Sequence, residues 1–229
     1  YEVSLGSWKR HEDGSYYYYN KIPASTNREA DRFRFNILNE LENSSDLYNG
    51  AGMNANLDLK YTFSPSLDVS IGGTYTRNST TQEMWWGEKT NQVAGWRNSE
   101  YGVLPPKGEL GRSELPYGGS IKNTNTISDN YGFRIQSDYR KSFGSDKQHL
   151  ITSTAGFEVH STSNSSYADE ARGFIKERGN QFINGVSNLD DYPFYKSWLN
   201  QNHRSVGAGL SNVVSGYLTG SYSYSNHFT

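Results

Sequence analysis

The chain has 229 residues, a formal net charge of −2 and no cysteine. This charge provides no basic field for nucleic acid, and the missing thiols exclude disulfides, thiolate metal sites and cysteine nucleophiles. Hydrophobic residues make up 34% of the chain, which is low for a conventional core, whereas an aromatic share of 14% argues against disorder. No apolar run approaches the roughly 20 residues of a membrane-spanning helix. Abundant tyrosine, glycine, serine, threonine and asparagine indicate an all-β protein.

Residues 1–52 are predicted to form a loop region with a small hairpin and one strand. Asp13-Gly14 is a typical hairpin turn between short extended segments, and four tyrosines follow it closely. The beginning of RFRFNILNELE (32–42) alternates between polar and apolar residues, which predicts a strand, although two leucines near its end break the alternation.

Two long strands, 53–63 and 67–79, are predicted around the turn Ser64-Pro65-Ser66. Apolar residues recur at every second position, which is the period of a strand: Met53, Ala55, Leu57, Leu59, Tyr61, Phe63, Leu67, Val69, Ile71 and Tyr75. Soluble strands are typically about five or six residues long, whereas a membrane-spanning strand needs about 9–11. This stretch alone fits a membrane-spanning hairpin and a hairpin of a large soluble β-sandwich equally well, so the recurrence of the pattern along the chain decides between them.

Three further strands are predicted at 130–143, 149–161 and 212–225, where the alternation returns. The segments 80–129 and 162–211 lack a sustained period, so we predict two long loops there. Short and long connections thus alternate along the chain, which is typical of a transmembrane β-barrel with short periplasmic turns and long extracellular loops. The alternative is a soluble extracellular β-sandwich that binds or hydrolyses polysaccharide.

Aromatic residues gather near the short turns, where an interfacial girdle of a barrel lies. They are Tyr61, Phe63, Tyr139, Phe143, Tyr222 and Tyr224. The joint pattern of girdle and connection lengths predicts an all-β fold that is part of a large antiparallel transmembrane β-barrel.

Several stretches resemble the SusC/RagA family, the TonB-dependent outer-membrane transporters of Bacteroidota. They are NANLDLKYTFSPSLDVSIGGTYT (54–76), SEYGVLPP (99–106), ELPYGG (114–119), HLITSTAGFEV (149–159) and YADEARGFIKERG (167–179). The order and spacing of these stretches carry the resemblance, which extends through most of 36–229. None of the stretches contains a catalytic motif, so we expect a protein that is not an enzyme.

The resemblance implies a plugged barrel that imports nutrients, glycans or peptides, across the bacterial outer membrane, with loops exposed at the cell surface. Its implied partners are a SusD-like surface lipoprotein, TonB acting through the plug region, outer-membrane lipid and the glycan or peptide substrate, without nucleic acid. A barrel with a plugged lumen has about 22 strands. Because this chain offers about five strands and no plug domain, we expect an internal segment of a longer transporter. A structural barrel or adhesin without TonB coupling is a further alternative.

Candidate substrate-binding residues are Trp85, Trp86 and Trp96, together with Tyr101. Indole faces stack well on sugar rings or peptide side chains. The alternative is that these rings form the small core that a long loop needs. All five tryptophans are placed outside the alternating strands by this prediction.

Polar residues on the predicted lumen face could contact the plug or a substrate, or simply form a solvated barrel wall: Arg134, Gln136, Asp138, Arg140 and Glu158. The acidic pairs Asp169-Glu170 and Asp190-Asp191 lack the spacing of an EF-hand calcium loop. The five histidines are dispersed, and no nucleophile elbow or phosphate-binding loop occurs. We therefore assign no catalytic residue, no metal site and no cofactor.

Overall fold

The computed structural model describes residues 9–20, 34–99, 110–183 and 186–225. In chain order, its strands and α-helices are β1 (Tyr19–Asn20), β2 (Arg34–Phe35), α1 (Ile37–Asn43), β3 (Ser44–Ser64), β4 (Leu67–Trp86), α2 (Asn91–Arg97), β5 (Gly119–Phe143), β6 (His149–Ile175), β7 (Gln181–Phe182), α3 (Pro193–Leu199) and β8 (Arg204–Tyr224). None of these helices is long and apolar enough to cross a membrane.

One large sheet contains all five long strands. β3, β4, β5 and β6 lie side by side in this order, and β6 also pairs with β7 and β8. β1 and β2 form a separate antiparallel pair. The sheet does not close on itself, and its fold is that of a segment of a large antiparallel β-barrel, as predicted. A sandwich would instead distribute the long strands over two packed sheets.

The chain divides into two compact units. The first, which we call the loop unit, comprises Tyr1–Asn49, Thr81–Asn125 and Tyr167–Ser205. The second, which we call the wall unit, comprises Gly50–Thr80, Thr126–Ser166 and Val206–Thr229.

The buried hydrophobic side chains among the described residues all belong to the loop unit: Trp85, Val93, Ala94, Leu115, Phe174, Tyr192 and Tyr195. The wall unit instead exposes large apolar side chains along one phase of its strands. Leu57 is 63% exposed and Phe63 is 64% exposed. A sheet of this size in water would need an apolar face to be covered, so this face requires lipid or protein against it.

The opposite phase of the wall unit is polar and internally hydrogen-bonded. Thr154 donates to Asp138 over 2.7 Å, and Tyr217 donates to the Gln136 side chain over 2.7 Å. The Tyr217 ring lies against Gly156, where any Cβ would overlap it. Gly156 therefore accommodates an aromatic ring from the neighbouring strand, which is a common use of glycine in strands.

The connections alternate in length, but the long strands extend further than the sequence predicted. β4 continues to Trp86 rather than residue 79, and β5 begins at Gly119 rather than residue 130. β6 continues to Ile175, and β8 begins at Arg204. The predicted loops 80–129 and 162–211 are therefore too long, because backbone pairing continues where side-chain alternation has ended.

The predicted strand at 32–42 is wrong in its second half, where the chain forms the helix α1. Asn36 is its N-cap, and the Asn36 side chain accepts hydrogen bonds from the amides of Leu38 and Asn39. The polar segment that follows the helix is the beginning of β3, which therefore starts at Ser44 rather than at residue 53. The leucines that broke the alternation thus indicated a helical turn.

Replacing Asn36 with alanine is expected to destabilise the loop unit locally by about 3 kcal/mol. Asn36 is fully buried, and its amide group also donates to the carbonyls of Lys9 and Tyr17. The alanine variant removes these hydrogen bonds, and within the described residues only the Lys9 carbonyl keeps another donor, the Tyr17 amide. Hydrogen exchange of the Leu38 and Asn39 amides should accelerate about 100-fold. The exposed Asn123→Ala is the control, and equal exchange in both variants would contradict the prediction.

Candidate functional site

The predicted tryptophans lie on two elements of the loop unit. Trp85 and Trp86 are the last two residues of β4, so the prediction that they lie outside the strands is wrong. Trp96 lies on α2, which begins after the N-cap Thr90 and is followed by the C-cap Asn98 in the left-handed conformation. Tyr101 lies outside the described residues.

A buried arginine brings two tryptophans together. The Arg172 guanidinium carbon lies 4.6 Å from the ring centroid of Trp96 and 4.5 Å from that of Trp198. Trp86 contacts Trp96 edge to face, with ring centroids 5.8 Å apart. The Arg172 side chain is only 6% exposed and donates to the backbone carbonyl of Glu114 over 2.9 Å. This cation–π stack is a packed core element of the loop unit.

Trp198 extends the same stack towards the start of β8. The His203 ring lies parallel to it, with centroids 3.7 Å apart, and a His203 ring nitrogen lies 2.5 Å from the Trp198 carbonyl oxygen. Tyr195 stacks on Trp198 with centroids 6.3 Å apart. Burial raises the pKa of the Tyr195 hydroxyl, although the charge of Arg172 opposes the shift. Both flanks of the Trp198 indole therefore carry neighbouring side chains.

Trp85 belongs to a different environment from that of Trp86. The Lys176 ammonium lies 4.3 Å from the Trp85 ring centroid, and both residues line a cavity of about 260 Å³. The Trp85 indole nitrogen is buried without a hydrogen-bond partner among the described residues. The structure thus brings Trp86 and Trp96 together and leaves Trp85 apart.

Two of the stretches that resemble the transporter family pack directly on each other. Gly118, the first of the two glycines in the ELPYGG stretch, has a φ of +71°, and a Cβ there would lie 2.5 Å from the carbonyl carbon of Gly173. Arg172, in the YADEARGFIKERG stretch, contacts a Glu114 carboxylate oxygen at 3.2 Å. The family-like residues in these stretches therefore hold one loop against another.

A second buried arginine fixes the loop before β5. Arg97 donates to the carbonyls of Leu115 and Gly118 and to the Glu88 carboxylate, which also accepts the Gly118 amide over 2.7 Å. The Arg97 side chain is 5% exposed. A buried arginine with all of these partners satisfies its charge and organises the surrounding backbone.

This geometry bears on the two interpretations of the tryptophans. The Trp96 ring is covered by Arg172 and the Trp85 ring by Lys176, so neither indole has two faces available to a sugar. Packing is the interpretation that the geometry favours. Arg172 and Trp198 are not among the site residues predicted from the sequence, although Arg172 lies in a family-like stretch that contains several charged residues.

The acidic pairs of the loop unit are engaged by cations from the chain itself. Asp169 pairs with Arg204 at 3.1 Å, and Asp190 pairs with Lys196 at 2.7 Å. The Lys196 hydrogen bond lowers the pKa of the Asp190 carboxyl. In the described ranges no three acidic or histidine residues gather as a metal site would require.

Fold and site together define a class: a segment of a large antiparallel barrel whose strands lead into packed, aromatic-rich loops. No protein-family model and no curated protein matches the chain.

Solved structures of the RagAB peptide importer match the fold. In the closed-closed state the TM-score is 0.57, with 80% of this chain covered, and in the open-open state it is 0.59, with 81% covered. Sequence identity is 12% in both comparisons. The chain spans 17% of the length of the RagAB chain that it matches. The resemblance to the SusC/RagA family is thereby confirmed for the fold.

Proposed function

We propose that this chain is an internal segment of a TonB-dependent outer-membrane importer that takes up peptides or glycans. The observation that carries the proposal is the exposed apolar face of the wall unit. Its residues are exposed although they are large and apolar, and the sheet that carries them has the fold of an importer barrel segment. In a membrane, lipid tails cover such an apolar face and keep it out of water.

The apolar face has the height of a membrane. At its short-turn end lie Tyr61 and Phe63, with ring centroids 4.6 Å apart, and at its other end lie Tyr75 and Tyr131, 4.9 Å apart. With about 3.3 Å per residue and a tilt of about 45°, the β5 stretch from Tyr131 to Phe143 rises about 28 Å, close to the apolar band of about 25 Å in such barrels. Lys141 lies in the same phase near the short turn, where a long cationic side chain can reach the polar interface.

Charged groups begin beyond the second aromatic pair. Arg77 and Asp129 form an ion pair at 3.8 Å, and the Tyr75 hydroxyl donates to Asp129 over 2.8 Å. Aromatic rings followed by charged side chains are typical of the boundary between lipid tails and water. This boundary supports the proposal that the long strands span the membrane and that the long loops are exposed at the cell surface.

Import requires further components besides this barrel segment. A plug coupled to TonB supplies the energy, and a SusD-like lipoprotein covers the barrel and captures the substrate. The chain itself contributes binding surfaces and makes or breaks no covalent bond. The polar face of the wall unit, with Gln136 and Asp138, then faces the plug or the passing substrate.

Membrane fractionation of the source cells tests this proposal. Peptides from this chain should be found in the outer-membrane fraction, should need detergent for extraction, and should accompany peptides from a plug on the N-terminal side. A detergent-free soluble protein would contradict the barrel. An outer-membrane protein without a plug would favour a structural barrel or adhesin without TonB coupling.

A further inference from the structure

The loop unit contains a cavity of about 400 Å³ that the tryptophan stack does not fill. It lies between the end of β6 and the segment that joins α3 to β8. The residues that line it include Asp169, Glu170, Arg172, Trp198, Asn202 and Arg204. Its lining is mostly polar and charged, and four of these six side chains are ionisable.

The cavity provides no free aromatic platform. Trp198 has Arg172 on one flank and His203 stacked at 3.7 Å on another. A sugar ring that bound here by stacking would need to displace one of these side chains. Recognition in this cavity must therefore depend on hydrogen bonds and charge.

Arg204 is the donor in the cavity with spare capacity. It uses Nε to contact Asp169 at 3.1 Å, and within the described part of the chain neither of its Nη atoms has a partner. The Arg204 side chain is 69% exposed. The Asp169 contact uses Nε and leaves the two Nη donors available to a ligand. This pair matches the two oxygens of a carboxylate.

Two neighbouring groups complete the arrangement. Asn202 accepts the Arg204 amide with its side-chain oxygen over 3.0 Å, so its amide nitrogen remains as a further donor. Arg172 is already engaged by Glu114 and lies 3.6 Å from Glu170, so it balances the acidic residues of the cavity wall. A negatively charged ligand would then be attracted by Arg204 and would not be repelled by an unpaired carboxylate.

We propose that this cavity is a subsite for a carboxylate of the imported ligand, bound by the two Nη donors of Arg204 with help from the Asn202 amide. The inference rests on the proposed import function. A carboxylate can come from the C-terminus of a peptide or from an acidic sugar, so the binding experiment includes both.

The test is calorimetric titration of the purified full-length protein that carries this chain. The probes are penta-alanine as free acid and as C-terminal amide, and trigalacturonic acid and its methyl ester. At least one acid should bind about tenfold more tightly than its neutral counterpart, since only the acid forms charged hydrogen bonds with the guanidinium. Arg204→Gln should abolish this preference, and Arg178→Gln, in an exposed turn outside the cavity, should retain it.

Equal affinities of acid and neutral probes, or a preference that survives Arg204→Gln, would overturn the subsite. So would a failure of both acids to bind at about 1 mM. These results leave the import proposal intact if the protein fractionates with the outer membrane alongside a plug. A soluble protein would refute the import function whatever the titrations show. If only the acidic sugar binds, the carboxylate subsite stands and the substrate is a glycan.

Discussion

Replacing Gly118 with alanine is expected to open the packed loops of the loop unit, whereas the same change at Gly179 has a small effect. Both glycines have a positive φ, +71° at Gly118 and +80° at Gly179. Alanine in this conformation costs roughly 1 kcal/mol at either position. At Gly118 the added Cβ would also overlap the Gly173 backbone, whereas at Gly179 it meets open space. The pair therefore separates steric overlap from conformational cost.

Hydrogen exchange measures the difference. The Glu114 amide donates to the Trp96 carbonyl over 2.8 Å, and the Ile183 amide donates to the Gly173 carbonyl over 2.9 Å. If Gly118→Ala costs about 2 kcal/mol more than the control, exchange at both amides should be about 30-fold faster. Gly179→Ala should affect only nearby amides such as that of Asn180. Similar exchange of the Glu114 amide in the two variants would refute the role of the glycine contact.

Replacing Arg172 with methionine is expected to destabilise the same unit by about 3 kcal/mol, since breaking a buried ion pair leaves its remaining partners uncompensated. The variant retains some apolar volume but loses the contacts to two indole rings and to Glu114. Arg172→Lys should recover only part of the loss, because an ammonium lacks the flat guanidinium surface that lies between the rings.

Chymotrypsin cleavage after the buried Tyr195 reports this change, because the protease reaches this residue only when α3 opens. Cleavage should accelerate about 100-fold in Arg172→Met. Arg178→Met, in an exposed turn, is the control and should resemble the unchanged protein. Equal cleavage in the two variants would show that the stack contributes little to the stability of α3.

The candidate site was predictable only in part. Tryptophans in an apparent loop justified a search there, but which ones meet depends on contacts between segments far apart in sequence. Trp96 and Trp198 are joined through Arg172, which comes from a third element. No local sequence pattern identifies these three residues as neighbours, because they lie on different elements and are not related by a helix or strand period. The role of Arg204 could not be predicted from the sequence either. Which of its donors remain available depends on its contact with Asp169, which is 35 residues away in the chain.

What the sequence by itself determined is the wall of the barrel. Strict alternation between residues 53 and 75 specifies a strand with one apolar face, because successive side chains point to opposite sides. Short turns such as Pro65-Ser66 then specify antiparallel pairing of neighbouring strands. Tertiary structure alone decided where β4 and β6 end and that 37–43 is a helix. Beyond the apolar band both faces of a strand tolerate polar residues, so the alternation disappears while backbone pairing continues.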